Sequence, residues 1–140
     1  MLPAIKASDV RKAILEKIDE WEAGLEFDHF INREIWRWEE GDEYWCNARW
    51  TSTPGMAIQT LNKVNNKYGA EIITRPSGHT RVTLRLKPEN QGPRFFTPLI
   101  EVVGTAETLA LAICRAAAKK IMLEKWGKQG HQNGNQTINP

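Results

Sequence analysis

Apolar residues fall three and four apart at the start of the chain. Val10, Ala13, Ile14, Ile18 and Trp21 share one face behind a cap at Ser8 or Asp9, while Lys12, Glu16, Lys17, Asp19 and Glu20 lie opposite. This spacing predicts an amphipathic helix ending near Gly24. The period then changes to two. Ile35 and Arg37 alternate with Trp36 and Trp38, and Tyr44, Cys46, Ala48 and Trp50 alternate with Trp45, Asn47 and Arg49. That pattern predicts a hairpin turning at Glu40-Gly41-Asp42, with helix from Phe30 to Trp36 as the alternative. A second helix starts at Thr51-Ser52-Thr53-Pro54, where a hydroxyl can cap and proline has no amide to lose. Its apolar face is Ala57, Ile58, Leu61, Val64 and Tyr68, and Gly69 closes it.

Three strands follow. Ala70 to Arg75 runs into a turn at Pro76-Ser77-Gly78, and His79 to Lys87 alternates strictly, with Val82, Leu84 and Leu86 against Arg81, Thr83, Arg85 and Lys87. One face is core and the other basic. The third strand spans Phe95 to Val103, with Pro98 implying that it lies at an edge or begins near Leu99, and Gly104-Thr105 turns the chain into a last helix. That helix, Thr105 to Met122, is small and apolar nearly all round and must be covered on more than one side. Arg115 interrupts it and needs an anion or a carboxylate, internal or foreign. From Gly127 the polar stretch GKQGHQNGNQTINP predicts a disordered tail, so residues 1–126 make one α+β domain and 127–140 lie outside it.

Composition adjusts this picture in three ways. With 140 residues the chain suits a single core, and its longest uncharged apolar run is too short to cross a bilayer. The first residues lack the apolar stretch of a signal peptide, which points to a cytoplasmic protein with no membrane partner. Cys46 and Cys114, with His29, His79 and His131 scattered, encode no metal site and no disulfide framework, and no cofactor is expected. The net charge of +2 hides an asymmetry: residues 1–50 carry 7 Lys+Arg against 12 Asp+Glu, and residues 51–140 carry 12 against 5. Such a split can join two halves of one fold or bring copies together.

The segments STPGMAIQTLNKV and TAETLALAICRAAAKK, with the early helix ending at Trp21, resemble the small bacteriophage proteins grouped as the phage ABA sandwich domain. The resemblance covers roughly Val10 to Met122 and implies a phage origin and an antiparallel sheet of three to five strands between helical layers. It implies no reaction.

Function is less legible than fold. No nucleophile with a base nearby, no carboxylate pair and no glycine-rich phosphate loop is present in the sequence, so an enzyme is not expected. The order of elements from Pro54 onward is also that of a double-stranded RNA binding domain, yet Lys119 and Lys120 lie near the end of the last helix and not at its start, which makes nucleic acid an unlikely partner. What remains is a binding protein, expected to form a homo-oligomer. The leading expectation is a small anionic ligand of nucleotide type, a host-defence signal that the protein sequesters in the host cytoplasm. Its candidate residues are Arg115, Lys119, Arg81 and Arg85 for the charge and Trp45, Trp50 and Phe95 for the base. The alternative is inhibition of a host protein through the acidic, tryptophan-rich N-terminal half.

Overall fold

The computed structural model describes residues 7–42, 45–65, 69–85 and 101–138, with side chains from 9 to 126 among them. Helix α1 spans Ala7–Glu20, α2 Leu25–Glu34 and α3 Pro54–Val64; strands β1 Ala70–Thr74, β2 Thr80–Arg85 and β3 Glu101–Ala106 follow, and α4 spans Leu109–Ile138. The three strands form one antiparallel sheet in the order β1-β2-β3. The fold is therefore α+β, as the alternation of periods implies.

Helix α4 is the centre of the molecule. Ala110, Ala112, Ile113, Cys114, Ala116, Ala117 and Ala118 are all buried, because the sheet lies on one side of the helix and α3, α1 and α2 pack on others. Thr108 starts it: the Thr108 carbonyl accepts from Ala112 N–H at 3.1 Å, and its hydroxyl accepts from Leu111 N–H at 3.3 Å. The inner face of the sheet, Thr80, Val82 and Leu84 of β2 with Val102, Gly104 and Ala106 of β3, is buried against α4. On the outer face Glu71, Ile73, Arg81, Arg85 and Glu101 are exposed, and no described helix covers them. The helical layers therefore stack on the inner side in the described residues.

Two expectations change. Gly104 is not a turn but the middle of β3, which runs on to Ala106. A Cβ there would lie 2.4 Å from both the Ala112 carbonyl oxygen and the Ala116 amide nitrogen. The glycine is required by close approach of strand to helix backbone, so a residue that reads as punctuation is a packing residue. The hairpin over residues 35–50 is also absent from the described part of that segment. Helix α2 occupies Leu25–Glu34, Arg37 takes a left-handed φ of 59° that no strand can pass through, and the remaining backbone bonds are local, such as Asp42 N–H to Glu39 O at 3.0 Å and Trp45 N–H to Asp42 O at 3.0 Å. Gly41, with φ 104°, does turn the chain where expected, but between loops.

Other differences are smaller. Thr53 is the residue before α3, but its side chain makes no capping bond, and α3 ends at Val64 with Tyr68 outside the described residues. Residues 95–100 also lie outside them. The backbone of α4 continues as helix through the polar stretch that composition reads as a tail.

Replacing Gly104 by alanine forces two backbones apart, and overpacking of this kind costs about 1–3 kcal/mol or more. The urea midpoint of Gly104→Ala is expected to fall clearly. Gly55→Ala, where an added Cβ meets nothing within 4 Å, is the control and is expected to leave it unchanged or slightly raised.

Candidate functional site

The register decides which backbone groups each sheet edge presents. Arg75 N–H donates to His79 O at 2.9 Å, continuing the β1–β2 register, so Arg75 and His79 form a hydrogen-bonded pair. Alternation along an antiparallel ladder then turns the N–H and C=O groups of Ala70, Ile72 and Thr74 away from β2. On β3 the same alternation leaves Glu101, Val103 and Thr105 facing outward at the opposite edge.

Arg115 and Lys119 close that second edge. The Arg115 Nη1 donates to Thr105 O at 2.6 Å, and the Lys119 ammonium donates to Val103 O at 2.7 Å. Four residues of helix rise about 6 Å and two residues of strand about 6.8 Å, so cations one turn apart on α4 meet alternate carbonyls of β3 running the other way. The same side chains also bind the end of α1. Arg115 donates from Nε and Nη2 to Trp21 O at 3.3 and 2.9 Å, and Lys119 pairs with Asp19. Cations belong at a helix C-terminus, where carbonyls lack partners. Burial lowers the Arg115 pKa from its ordinary value, and the charges of Asp19 and Glu22 oppose that shift. The need for an anionic partner is met by carbonyls. Glu101, also on β3, pairs with Arg85 at 3.4 Å.

Lys120, which the sequence places near the end of the last helix but does not mark as a site residue, is among the most enclosed side chains, 1% exposed. It donates to Arg85 O at 2.8 Å and lies 3.7 Å from Glu124. Burial lowers its pKa, against the effect of Glu124.

The aromatic candidates are elsewhere and inward. Trp45 and Trp50 are both buried. The Trp50 Nε1 donates to Asn32 Oδ1 at 2.6 Å, Asn32 Nδ2 donates to Trp45 O at 3.0 Å, and the Trp50 ring stacks on Trp36 at 5.0 Å. Beside them the Asp28 Oδ1 accepts from Thr51 N–H and Oγ1, both at 2.8 Å, while Thr51 Oγ1 accepts from Gly24 N–H at 3.0 Å. Asp28, Asn32 and Thr51 are wholly enclosed, and they fasten the loop before α3 onto α2. Sequence reasoning missed this network. The available signal was the spacing of four between Asp28 and Asn32, each next to a core residue, Phe27 and Ile31. Cys114 joins it, donating from Sγ to Trp50 O at 3.3 Å, and burial, with the charge of Asp28, raises its pKa well above the ordinary value.

Arg81 and Arg85 stay exposed on the outer sheet face, as expected of the solvent side of β2. That face is mixed and not basic, because Glu71 and Glu101 share it. A depression of about 310 Å³ there is lined by Gly69, Ala70, Glu71, Thr83, Arg85 and Glu101, with two carboxylates to one guanidinium. Phe95 lies outside the described residues. The expected pocket of aromatic and cation is thus not assembled in the described residues: Arg115 and Lys119 serve β3 and α1, Trp45 and Trp50 serve the core, and Arg81 and Arg85 face outward. Among the described residues no group of three His, Cys, Asp or Glu side chains could hold a metal, and no helix is long and apolar enough to cross a membrane. Comparison with protein-family models, with curated proteins and with solved structures returned no match. The resemblance to the phage ABA sandwich domain therefore rests on the segments quoted for it.

Two outcomes follow from this geometry. Arg115→Leu strands the carbonyls of Trp21 and Thr105 and is expected to cost about 2 kcal/mol in a urea unfolding curve; an unchanged midpoint would remove the role assigned to the guanidinium. A thiol reagent at mildly alkaline pH is expected to modify the exposed Cys46 alone in the folded protein and both cysteines in denaturant.

Proposed function

We propose that this protein acts by binding and not by catalysis, and that its contacts are made by strand addition at the β1 edge. One observation carries this reading. All five residues of β1 are exposed, Ile72 at 44% and Ile73 at 47%, and the backbone groups of Ala70, Ile72 and Thr74 point outward beside them. Native sheets blunt such edges with charge, proline, bulges or a covering element unless another chain uses them. The groups that chemistry would need favour the same reading: Cys114 is enclosed with a raised pKa, Asp28 is held by Thr51, and His29 packs on Trp45 at 5.1 Å. With the phage-type resemblance, one partner in this reading is a host protein met in the host cytoplasm, at the sheet edge and not at the tryptophans.

A small anionic ligand is the second reading, and Arg75 and Arg81 favour it. Both are exposed on the outer face and neither makes an ion pair among the described residues. On the described outer sheet face they, and not Arg115 or Lys119, are the cations left without an ion pair to meet a nucleotide.

Short peptides selected on the protein from a displayed library are expected to bind as extended strands and to lose about tenfold or more in affinity, some 1.4 kcal/mol, when Ile73→Lys is introduced. Equal binding to wild type and variant would sink the edge reading. Calorimetric titration of a nucleotide panel, repeated with Arg81→Ala, checks the second: heat present in wild type and lost in the variant is the supporting result.

A further inference from the structure

We propose that the chain seated on the β1 edge is a second copy of this protein, paired antiparallel about Ile73 so that two three-stranded sheets become one of six strands. This rests on the reading of β1 as the contact edge and names its occupant.

The sequence of β1 and its next residue is self-complementary about Ile73. Glu71, Ile73 and Arg75 share the outer face, with the apolar residue midway between opposite charges. Two such strands related by a two-fold axis through Ile73 bring Ile73 onto Ile73 of the second copy. Each Glu71 then faces the other copy's Arg75. The backbone agrees with this register. The outward groups belong to Ala70, Ile72 and Thr74, so Ile72 and the second copy's Thr74 exchange hydrogen bonds on each side of the axis. The pairs at Ile73 and at Glu71 with Arg75 then fall at non-hydrogen-bonded positions, where Cα atoms are about 4.5 Å apart and side chains are nearest. Pairing about Ile72 would satisfy the backbone equally well but would set each Glu71 against an isoleucine. Charge complementarity selects the first register. It also withdraws Ile73 from water, removing one of the most exposed large apolar side chains of the described residues.

The other edge explains why the assembly stops. With the carbonyls of Val103 and Thr105 taken by Lys119 and Arg115, β3 offers a poor template for a further strand. Among the described residues one edge is bare and the other capped, and a sheet of that kind closes as a two-fold dimer and does not grow into a fibre.

Sedimentation of the full chain over a concentration series is expected to show monomer and dimer and nothing larger. Glu71→Arg sets like charges opposite each other and is expected to weaken the dimer about tenfold or more, and the swap Glu71→Arg with Arg75→Glu is expected to restore it. With Cys46→Ser as background, Ile73→Cys is expected to crosslink on oxidation, because the pair at the axis meets disulfide geometry, whereas Ile72→Cys is not. All of these side chains are exposed, so the variants test pairing and not folding. A monomer at every concentration overturns the inference, as does a dimer that ignores Glu71→Arg, is not rescued by the swap, or fails to crosslink at position 73. If the protein is monomeric while selected peptides still depend on Ile73, only the second copy is refuted and the edge reading stands. If a dimer forms while neither it nor any peptide depends on Ile73, both fail.

Discussion

The structure depends on a strand lying directly against the backbone of a helix. Gly104 leaves no side chain between β3 and α4, and Ala112 and Ala116 leave almost none from the other side. Interiors are packed to crystal-like density, so that approach distance fixes where every neighbouring group can sit. At this separation side chains at the flank of α4 reach past the strand's edge, which is why a guanidinium and an ammonium one turn apart find the carbonyls of Thr105 and Val103. A larger residue at position 104 would lift the strand and shift both cations from the carbonyls they serve.

Those two cations tie three elements together. Each binds β3 on one side and the end of α1 on the other, Arg115 through Trp21 O and Lys119 through Asp19. The arrangement uses the charge asymmetry of the chain within one molecule, since the acidic residue comes from the N-terminal half and the bases from the C-terminal half. Hydrogen bonds from a charged donor to helix-end carbonyls are stronger than neutral ones, and here they answer orphan acceptors that would otherwise face a partly dry place. This is a structural use of charge. It removes Arg115 and Lys119 from the set of cations available to a foreign anion and leaves the outer-face arginines.

Legibility from sequence followed how local each determinant is. Helices α1 and α3 and strands β1 and β2 are written in short-range periods, such as Val82 and Leu84 against Arg81 and Arg85, and they form close to where the period puts them. Determinants that act across the fold were not readable in the same way. Alternation of tryptophans suggested strands between Ile35 and Trp50, but Trp36, Trp38 and Trp50 meet from turns and cluster with ring centroids 5.0–5.8 Å apart, a tertiary arrangement that imitates a period of two. Asp28 and Asn32 gave no local signal of their roles because their partners, Thr51 and Trp50, lie about twenty residues away in sequence. Gly104 carries the signal of a turn and the duty of a close contact, and only the helix packed on it distinguishes the two. For the candidate site, sequence located the unusual cation on α4 but not what answers it, since backbone carbonyls have no letter in a sequence.

The two edges of the sheet are therefore unequal for a reason that begins with one glycine. Close approach at Gly104 lets α4 cover the inner face of β3 and reach around its free edge, so the carbonyls there are occupied. Strand β1 is two strands farther from the helix, and in the described residues nothing from α4 reaches its outward groups. Among the described residues such a sheet leaves one edge open to another strand, and that edge carries an isoleucine between a glutamate and an arginine. Whatever chain docks there must satisfy a short run of backbone groups and present charges in the opposite order. Read in the antiparallel direction, the protein's own β1 does both.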